Sequence, residues 1–292
     1  MDKKIVSYSQ YAMWSRCPLQ WKLAYIDKLA PDDTNIHNIF GSSMHDTIQT
    51  WAEALFNRKE SYAKRMDLCD ILKDRMVFHF TESITEVNGQ KVYVCDKNTL
   101  TEFHDDGCQI LTYLQSNYKK FFDPIQWDLV GIELPLLLEV RPGLEFRGYC
   151  DLVLKHKING VIKIIDLKTS TRGWNKWQKK DKAKTNQLLI YKKYYAEKFN
   201  IPEEYIAVEF MILKRKLWEE AQFPQPRVSK FEPSNGNVSL NRASKEFANF
   251  LDECFTEDGK YKTDSIEPTP SKSACRFCPF KTEKELCPVG IA

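Results

Sequence analysis

No apolar run in this sequence approaches the roughly 18 residues of a membrane-crossing helix, which argues against an integral membrane protein. The N-terminal stretch MDKKIVSYSQ lacks the apolar core of a secretory signal. The expected setting is therefore intracellular and cytoplasmic, with cellular or viral coding. No charge of one sign dominates. Lys and Arg number 43 against 40 Asp and Glu, a formal net charge of +3, so any surface that attracts nucleic acid must be local. No internal repeat or low-complexity tract appears. No glycine-rich loop of the flavin or nicotinamide type is evident, which ranks a redox enzyme last.

What is present suits a globular chain. A length of 292 residues suffices for one large domain or two small ones around a real core. The 42% hydrophobic and 13% aromatic fractions are ordinary for such a chain. Nine cysteines in an intracellular protein do not read as a disulfide framework. Five of them, Cys69, Cys95, Cys108, Cys150 and Cys254, stand alone and read as buried small apolar residues. The other four, Cys17, Cys275, Cys278 and Cys287, need a separate account.

The hydrophobic period changes along the chain. Residues 8–29 read as a helix, with Trp14, Leu19, Trp21, Leu23 and Tyr25 among polar residues. Gly41, Ser42 and Ser43 offer a helix start, after which Met44, Ile48, Trp51 and Leu55 recur at helical spacing. Residues 60–122 read as mostly helical, with a small β excursion around Lys91–Cys95. From Trp127 onward the segments DLVGIELPLLLEV, LEFRGYCDLVLKH and VIKIIDLK are strand-like, and YIAVEFMILKRK at 205–216 is a further strand. Helices are expected over 181–199 and near 240–254, followed by a Pro- and Cys-rich tail from 265. The pattern predicts an α/β or α+β core with a helical N-terminal half. Its divisions are a helical region 1–125 carrying Cys17 and His45, a core 126–260 and a tail 261–292, packed as one domain.

The strand KIIDLKTS, residues 163–170, ends in Asp166 and Lys168. Charges are costly to bury unless paired or bound to a metal, and residues two apart in a strand share a face. Asn159–Gly160 reads as a two-residue hairpin turn. That turn pairs Ile158 with Val161, and hence Val153 with Asp166 and Asp151 with Lys168. Asp151, Asp166 and Lys168 then converge, with the two carboxylates as diagonal neighbours. Hard divalent cations take one or two carboxylates plus water and substrate phosphate. The bland alternative is a salt bridge at a strand end. Glu133, on the preceding strand, is a further acidic candidate.

GYCD at 148–151 followed by IIDLKT at 164–169 resembles the PD-(D/E)xK nuclease core. NQLLIY at 186–191 is similar to the Gln-x-x-x-Tyr motif of the RecB-type branch, and GSSMH at 41–45 to its Gly-x-x-x-His motif. Gln187 and Tyr191 are four apart and share a helix face. The resemblance implies a restriction-endonuclease-like α/β core, a mixed central sheet flanked by helices. It implies that His45, Asp151, Asp166 and the Leu167 carbonyl hold Mg²⁺ or Mn²⁺, that Lys168 is the catalytic lysine, and that Gln187 and Tyr191 brace the site. The activity it implies is a metal-dependent DNA exonuclease acting on single strands or free ends in recombination, repair, phage DNA processing or CRISPR adaptation. Protein partners in such complexes are expected as well.

The tail reads SACRFCPFKTEKELCP, with Cys275 and Cys278 as a CxxC and Cys287 eight residues further on. Four thiolates, with Cys17 as the fourth, suit a [4Fe–4S] cluster or a structural zinc ion equally well by spacing. RecB-type nucleases such as AddB and the CRISPR spacer-acquisition nucleases carry one N-terminal and three C-terminal cysteines around an iron–sulfur cluster. The resemblance therefore favours the cluster, as a staple joining the two ends. After the Asp-x-Lys strand, TRGWNKWQKKDKAKTNQ places Arg172, Lys176, Lys179, Lys180, Lys182 and Lys184 around Trp174 and Trp177. Cations offset phosphate charge and indoles stack on unpaired bases, so the segment's place beside the site favours DNA binding over the alternative, a solvated loop whose tryptophans pack on the core. LKRK at 213–216 is a weaker basic patch. The competing class is a non-catalytic nucleic-acid-binding protein with a structural zinc. The Asp/Asp/Lys register argues against it, since binding alone requires no metal-binding face.

Overall fold

A computed structural model of the chain describes residues 3–31, 34–262 and 266–291. Among these residues the central sheet has six strands, β1 (Lys4–Val6), β4 (Trp127–Arg141), β5 (Leu144–His156), β6 (Ile162–Ser170), β7 (Ile206–Lys214) and β8 (Val228–Phe231). It is mixed: β1 runs parallel to β5 and β6 parallel to β7, while β4/β5, β5/β6 and β7/β8 are antiparallel. Helices cover both faces, so the fold is the mixed α/β arrangement that the motifs imply.

Alternation along β6 assigns the faces. Ile162 and Ile164 pack in one core with α1 (Tyr8–Trp14), α8 (Lys182–Phe199) and α9 (Asn237–Cys254). Ile165 and Leu167 pack in the other with α3 (Ile36–Asn57), α5 (Leu68–Glu82) and α6 (Lys97–Ser116). The 22-residue α3 starts earlier than expected. Asn35 caps it, accepting from the His37 and Asn38 N–H groups, so Gly41–Ser43 lie inside the helix. Ser43 and Thr47 are fully buried there, and each donates its hydroxyl to the carbonyl four residues back at 2.7 Å. The single helix expected over 8–29 is broken. Cys17 adopts an extended φ of −159° and Pro18 opens α2 (Pro18–Trp21), after which Lys22–Ile26 form a π turn.

The two Asn-Gly dipeptides behave differently. Asn88 and Gly89 have φ of 54° and 76°, the type I′ signature, and join β2 (Thr85–Val87) to β3 (Gln90–Val92), slightly upstream of the excursion expected at Lys91–Cys95. At Asn159–Gly160 only Gly160 has positive φ, 71°. His156 N–H donates to the Val161 carbonyl at 2.8 Å, so residues 157–160 form a four-residue loop. Leu152 consequently faces Ile165 and Val153 faces Ile164, two positions away from the expected register. A two-residue shift preserves side-chain parity, so Asp151 is brought level with Asp166 instead of Lys168. Strands β1 and β8 were not expected from the sequence. Among the described residues no helix is long and apolar enough to cross a membrane.

Candidate active site

β4 occupies one edge of β5 over its whole length, so β1 and β6 share the other edge. β6 stays paired with β7 as far as Ser170, but its ladder with β5 stops at Leu152–Ile165. Beyond that point the strands part, and side-chain alternation in β5 slips. Phe146 and Cys150 pack towards α8, whereas Leu152 and Leu154 pack towards α3. Asp151 sits at the slip and turns into the gap. Its Oδ2 accepts the Leu167 N–H at 2.7 Å, taking the place of a strand partner. A residue's N–H and C=O point to the same strand edge, so the Leu167 carbonyl also faces the gap.

Each element delivers one group. Met44 and Ile48 are fully buried and fix the rotation of α3, leaving half-buried His45 with its Nδ1 3.5 Å from Asp151 Oδ2. Asp166 is 3% exposed, and its Oδ2 lies 2.7 Å from Lys168 Nζ. That contact is out of line for a hydrogen bond, so the buried oxygen has charge compensation without a donor aimed at it. On β4, Glu133 has a left-handed φ of 46°, a conformation that costs energy for a non-glycine residue and recurs at functional sites. Its carboxylate accepts from Gln49 Nε2, one helical turn after His45. Ligand atoms of His45, Glu133 and Asp151 all lie within 4.8 Å of one another. Gln49 is 7% exposed and was missed by sequence reasoning, although its i+4 position after His45 was the available signal. Gly148 lets α8 approach. A Cβ there would stand 3.0 Å from both Phe146 and Tyr191, and Tyr191 in turn receives a 3.5 Å hydrogen bond from Gln187.

The charges are mutually dependent. Burial, then the facing Asp166 carboxylate, pushes Asp151 well above the usual carboxylate range. Burial lowers His45, which favours the neutral imidazole that can ligate a cation. Burial works against the Lys168 charge, but the Asp166 and Asp151 carboxylates outweigh it and hold the ammonium above the ordinary lysine range. A lysine in that state is a donor and not a base.

The remaining predicted residues are distributed as follows. Trp174 is half-buried with its ring 4.9 Å from Phe210, so it is a core indole and not the free stacking platform expected. Trp177 is 70% exposed on α7 (Lys176–Lys180), where Lys176, Lys179 and Lys180 are also exposed. The LKRK patch is not free positive charge, because Arg215 and Lys216 both pair with Glu102 and buried Asp106. Cys17, Cys275, Cys278 and Cys287 line one cavity with Leu19, Leu23 and Phe280. Burial first, and then the other three thiols, raises Cys278. Of the five lone cysteines, Cys150 and Cys254 are buried, whereas Cys69, Cys95 and Cys108 are only half-buried.

Two facing buried carboxylates repel unless one is neutralised. Asp151→Asn should therefore hold or raise the melting temperature in EDTA, since its Oδ1 can still accept the Leu167 N–H. Mn²⁺ at a hundredfold excess over its Kd should stabilise the parent protein by about 2.7 kcal/mol and the variant by none. Thermal melts with and without Mn²⁺ check this, and an equal metal-dependent shift in both proteins would contradict the assignment.

A comparison with curated proteins finds no match. A family model described as PD-(D/E)XK nuclease superfamily matches residues 5–288, nearly the whole chain. That family indicates a metal-dependent nuclease with DNA as substrate, typically working with Mg²⁺ or Mn²⁺. The parted strands, with acidic groups from β4, β5 and β6 and an imidazole from α3, lie inside the matched span, and the chain belongs to the PD-(D/E)XK nuclease superfamily.

Proposed function

We propose that this chain is a RecB-type DNA exonuclease that hydrolyses phosphodiester bonds from free or single-stranded ends, and that an iron–sulfur cluster staples its two termini. The observation that carries the nuclease part is the convergence of Asp151, Asp166 and Lys168 where β5 and β6 part, with His45 beside them. The donor set fits a hard divalent cation. It combines carboxylate oxygens, a backbone carbonyl and an imidazole kept neutral by burial, and one buried Asp166 oxygen lacks a hydrogen-bond donor. His45, Asp151, Asp166 and the Leu167 carbonyl would hold the ion, with Glu133 at the rim. Bound there, such an ion offsets charge on the phosphate and makes water a better nucleophile. Lys168, kept protonated by its two carboxylates, donates to the attacking water and orients it. Gln187 and Tyr191 brace the wall beside Gly148, and α7 with Trp177 meets the incoming strand.

The ordered motif set from Gly41 to Tyr191 supports the RecB-type reading. The four thiols around one cavity support the staple. Four thiolates suit a single zinc ion as well as a cluster; the resemblance to RecB-type nucleases with split cysteines favours the cluster. Cys17, Cys275, Cys278 and Cys287 would be its ligands, closing residues 1–125, 126–260 and 261–292 into one unit. DNA-end processing in recombination, repair, phage DNA processing or CRISPR adaptation is the matching context.

Digestion of end-labelled oligonucleotides tests the reading. Cleavage should require Mg²⁺ or Mn²⁺, vanish in Asp166→Ala, and stop when one end is blocked but not the other. Equal cleavage of circular single strands would reject the exonuclease assignment. For the staple, iron and sulfide content should fall together with melting temperature in Cys17→Ala and Cys278→Ala, and stay normal in Cys69→Ala. A Cys17→Ala protein with full iron would remove Cys17 from the ligand set.

A further inference from the structure

Among the described residues, one edge of β5 has no strand partner between Phe146, which faces Val6 at the end of β1, and Leu152, where pairing with β6 begins. The chain leaving β1 turns at Ser7 into α1, so Ser7 follows beside Arg147. Ser7, Ser9, Arg147 and Tyr149 line the same pocket as Asp151, Asp166 and Lys168. Arg147 is incompletely partnered there. Its Nε is buried without a hydrogen-bond partner, and its Nη2 makes one long contact, 3.3 Å, to Glu145 Oε1. A guanidinium carries five donors and stays charged; the buried Nε goes unpaired at a cost, while the side chain as a whole is 41% exposed and reachable from solvent. Ser9 is exposed, and Ser7 already caps α1 by accepting the Gln10 N–H at 3.4 Å while its own proton remains available.

The chemistry of the pocket selects the ligand. The planar fork of arginine matches a phosphate with two parallel hydrogen bonds, and serine hydroxyls add donors. The facing carboxylates of Asp151 and Asp166 repel an anion brought to them without a cation, whereas Arg147 stands four residues along the strand, about 13 Å at the usual rise. Between them Tyr149 is 45% exposed and offers a ring on which one base can stack. We propose that Arg147, with the Ser7 and Ser9 hydroxyls, forms a subsite for a phosphodiester that flanks the one being cut, with Tyr149 under the intervening base. The strand is thereby gripped one or two nucleotides from the scissile bond. This subsite rests on the nuclease reading above and deepens it.

The test is equilibrium binding of a single-stranded oligonucleotide in EDTA across a salt series, with the parent protein, Arg147→Ala and Arg147→Lys. Each lost phosphate contact on a single strand lowers the slope of log affinity against log salt by about 0.7. Arg147→Ala should lose that much slope and bind roughly tenfold more weakly, while Arg147→Lys keeps the slope and recovers part of the affinity. Melting curves report separately on folding. An unchanged slope in Arg147→Ala, an equal affinity loss in both variants, or a parent protein without salt-dependent binding would overturn the subsite. Cleavage of the same oligonucleotide by the parent protein in Mn²⁺ reports on the nuclease reading alone. Binding with the predicted slopes but without cleavage would leave the subsite standing and remove the activity.

Discussion

The site depends on one hydrogen bond, from the Leu167 N–H to the Asp151 carboxylate. β6 cannot follow both neighbours once its ladder with β5 stops at Leu152–Ile165, and it keeps β7. The donor freed at Leu167 is buried, and an unpaired buried amide is expensive. Asp151 satisfies it with a side chain instead of a strand, which holds the gap open. That exchange turns a backbone carbonyl towards the gap and sets an acidic oxygen 3.5 Å from the His45 ring at one point of the sheet edge.

A carboxylate used this way carries an electrostatic cost, because Asp166 faces it at the same level of the sheet. Lys168 offsets part of the repulsion from 2.7 Å, while one buried Asp166 oxygen still lacks an aimed donor. The whole group is thus short of positive charge, a deficit that a divalent ion repairs. Glu133 reaches the same place only through a left-handed backbone, which Gln49 and the β4–β5 ladder hold in position. Backbone strain at Glu133 and an unpaired buried oxygen on Asp166 thus meet in one gap, a combination that recurs at functional sites.

The strands flanking the site were legible because Ile162, Ile164, Ile165 and Leu167 alternate between two cores. The convergence of Asp151 with Asp166 was legible too, although residues 157–160 form a longer loop than the two-residue turn expected. Asn159–Gly160 shifts the register by two, and only an odd shift would have sent the carboxylates to opposite faces. For Trp174 the sequence offers both base stacking and packing on the core, and does not choose between them. Its flanking lysines mark a solvated loop, but Phe210 and Phe231 come from β7 and β8, and β8 carries too short a pattern to be seen. The same holds for Arg215 and Lys216, whose partners Glu102 and Asp106 lie more than a hundred residues upstream. The slip of alternation at Asp151 and the φ of Glu133 arise from the three-strand junction and leave no local trace in the sequence.

The most direct test of the account is where a metal ion goes. Crystals grown with Mn²⁺, with data collected above the manganese absorption edge, should show an anomalous peak in the gap between β5 and β6, bounded by Asp151, Asp166, the Leu167 carbonyl and His45. The Leu167 N–H to Asp151 hydrogen bond should persist. No peak at saturating Mn²⁺, or a peak bound elsewhere with the Asp166–Lys168 pair closed over an ion-free gap, would contradict it.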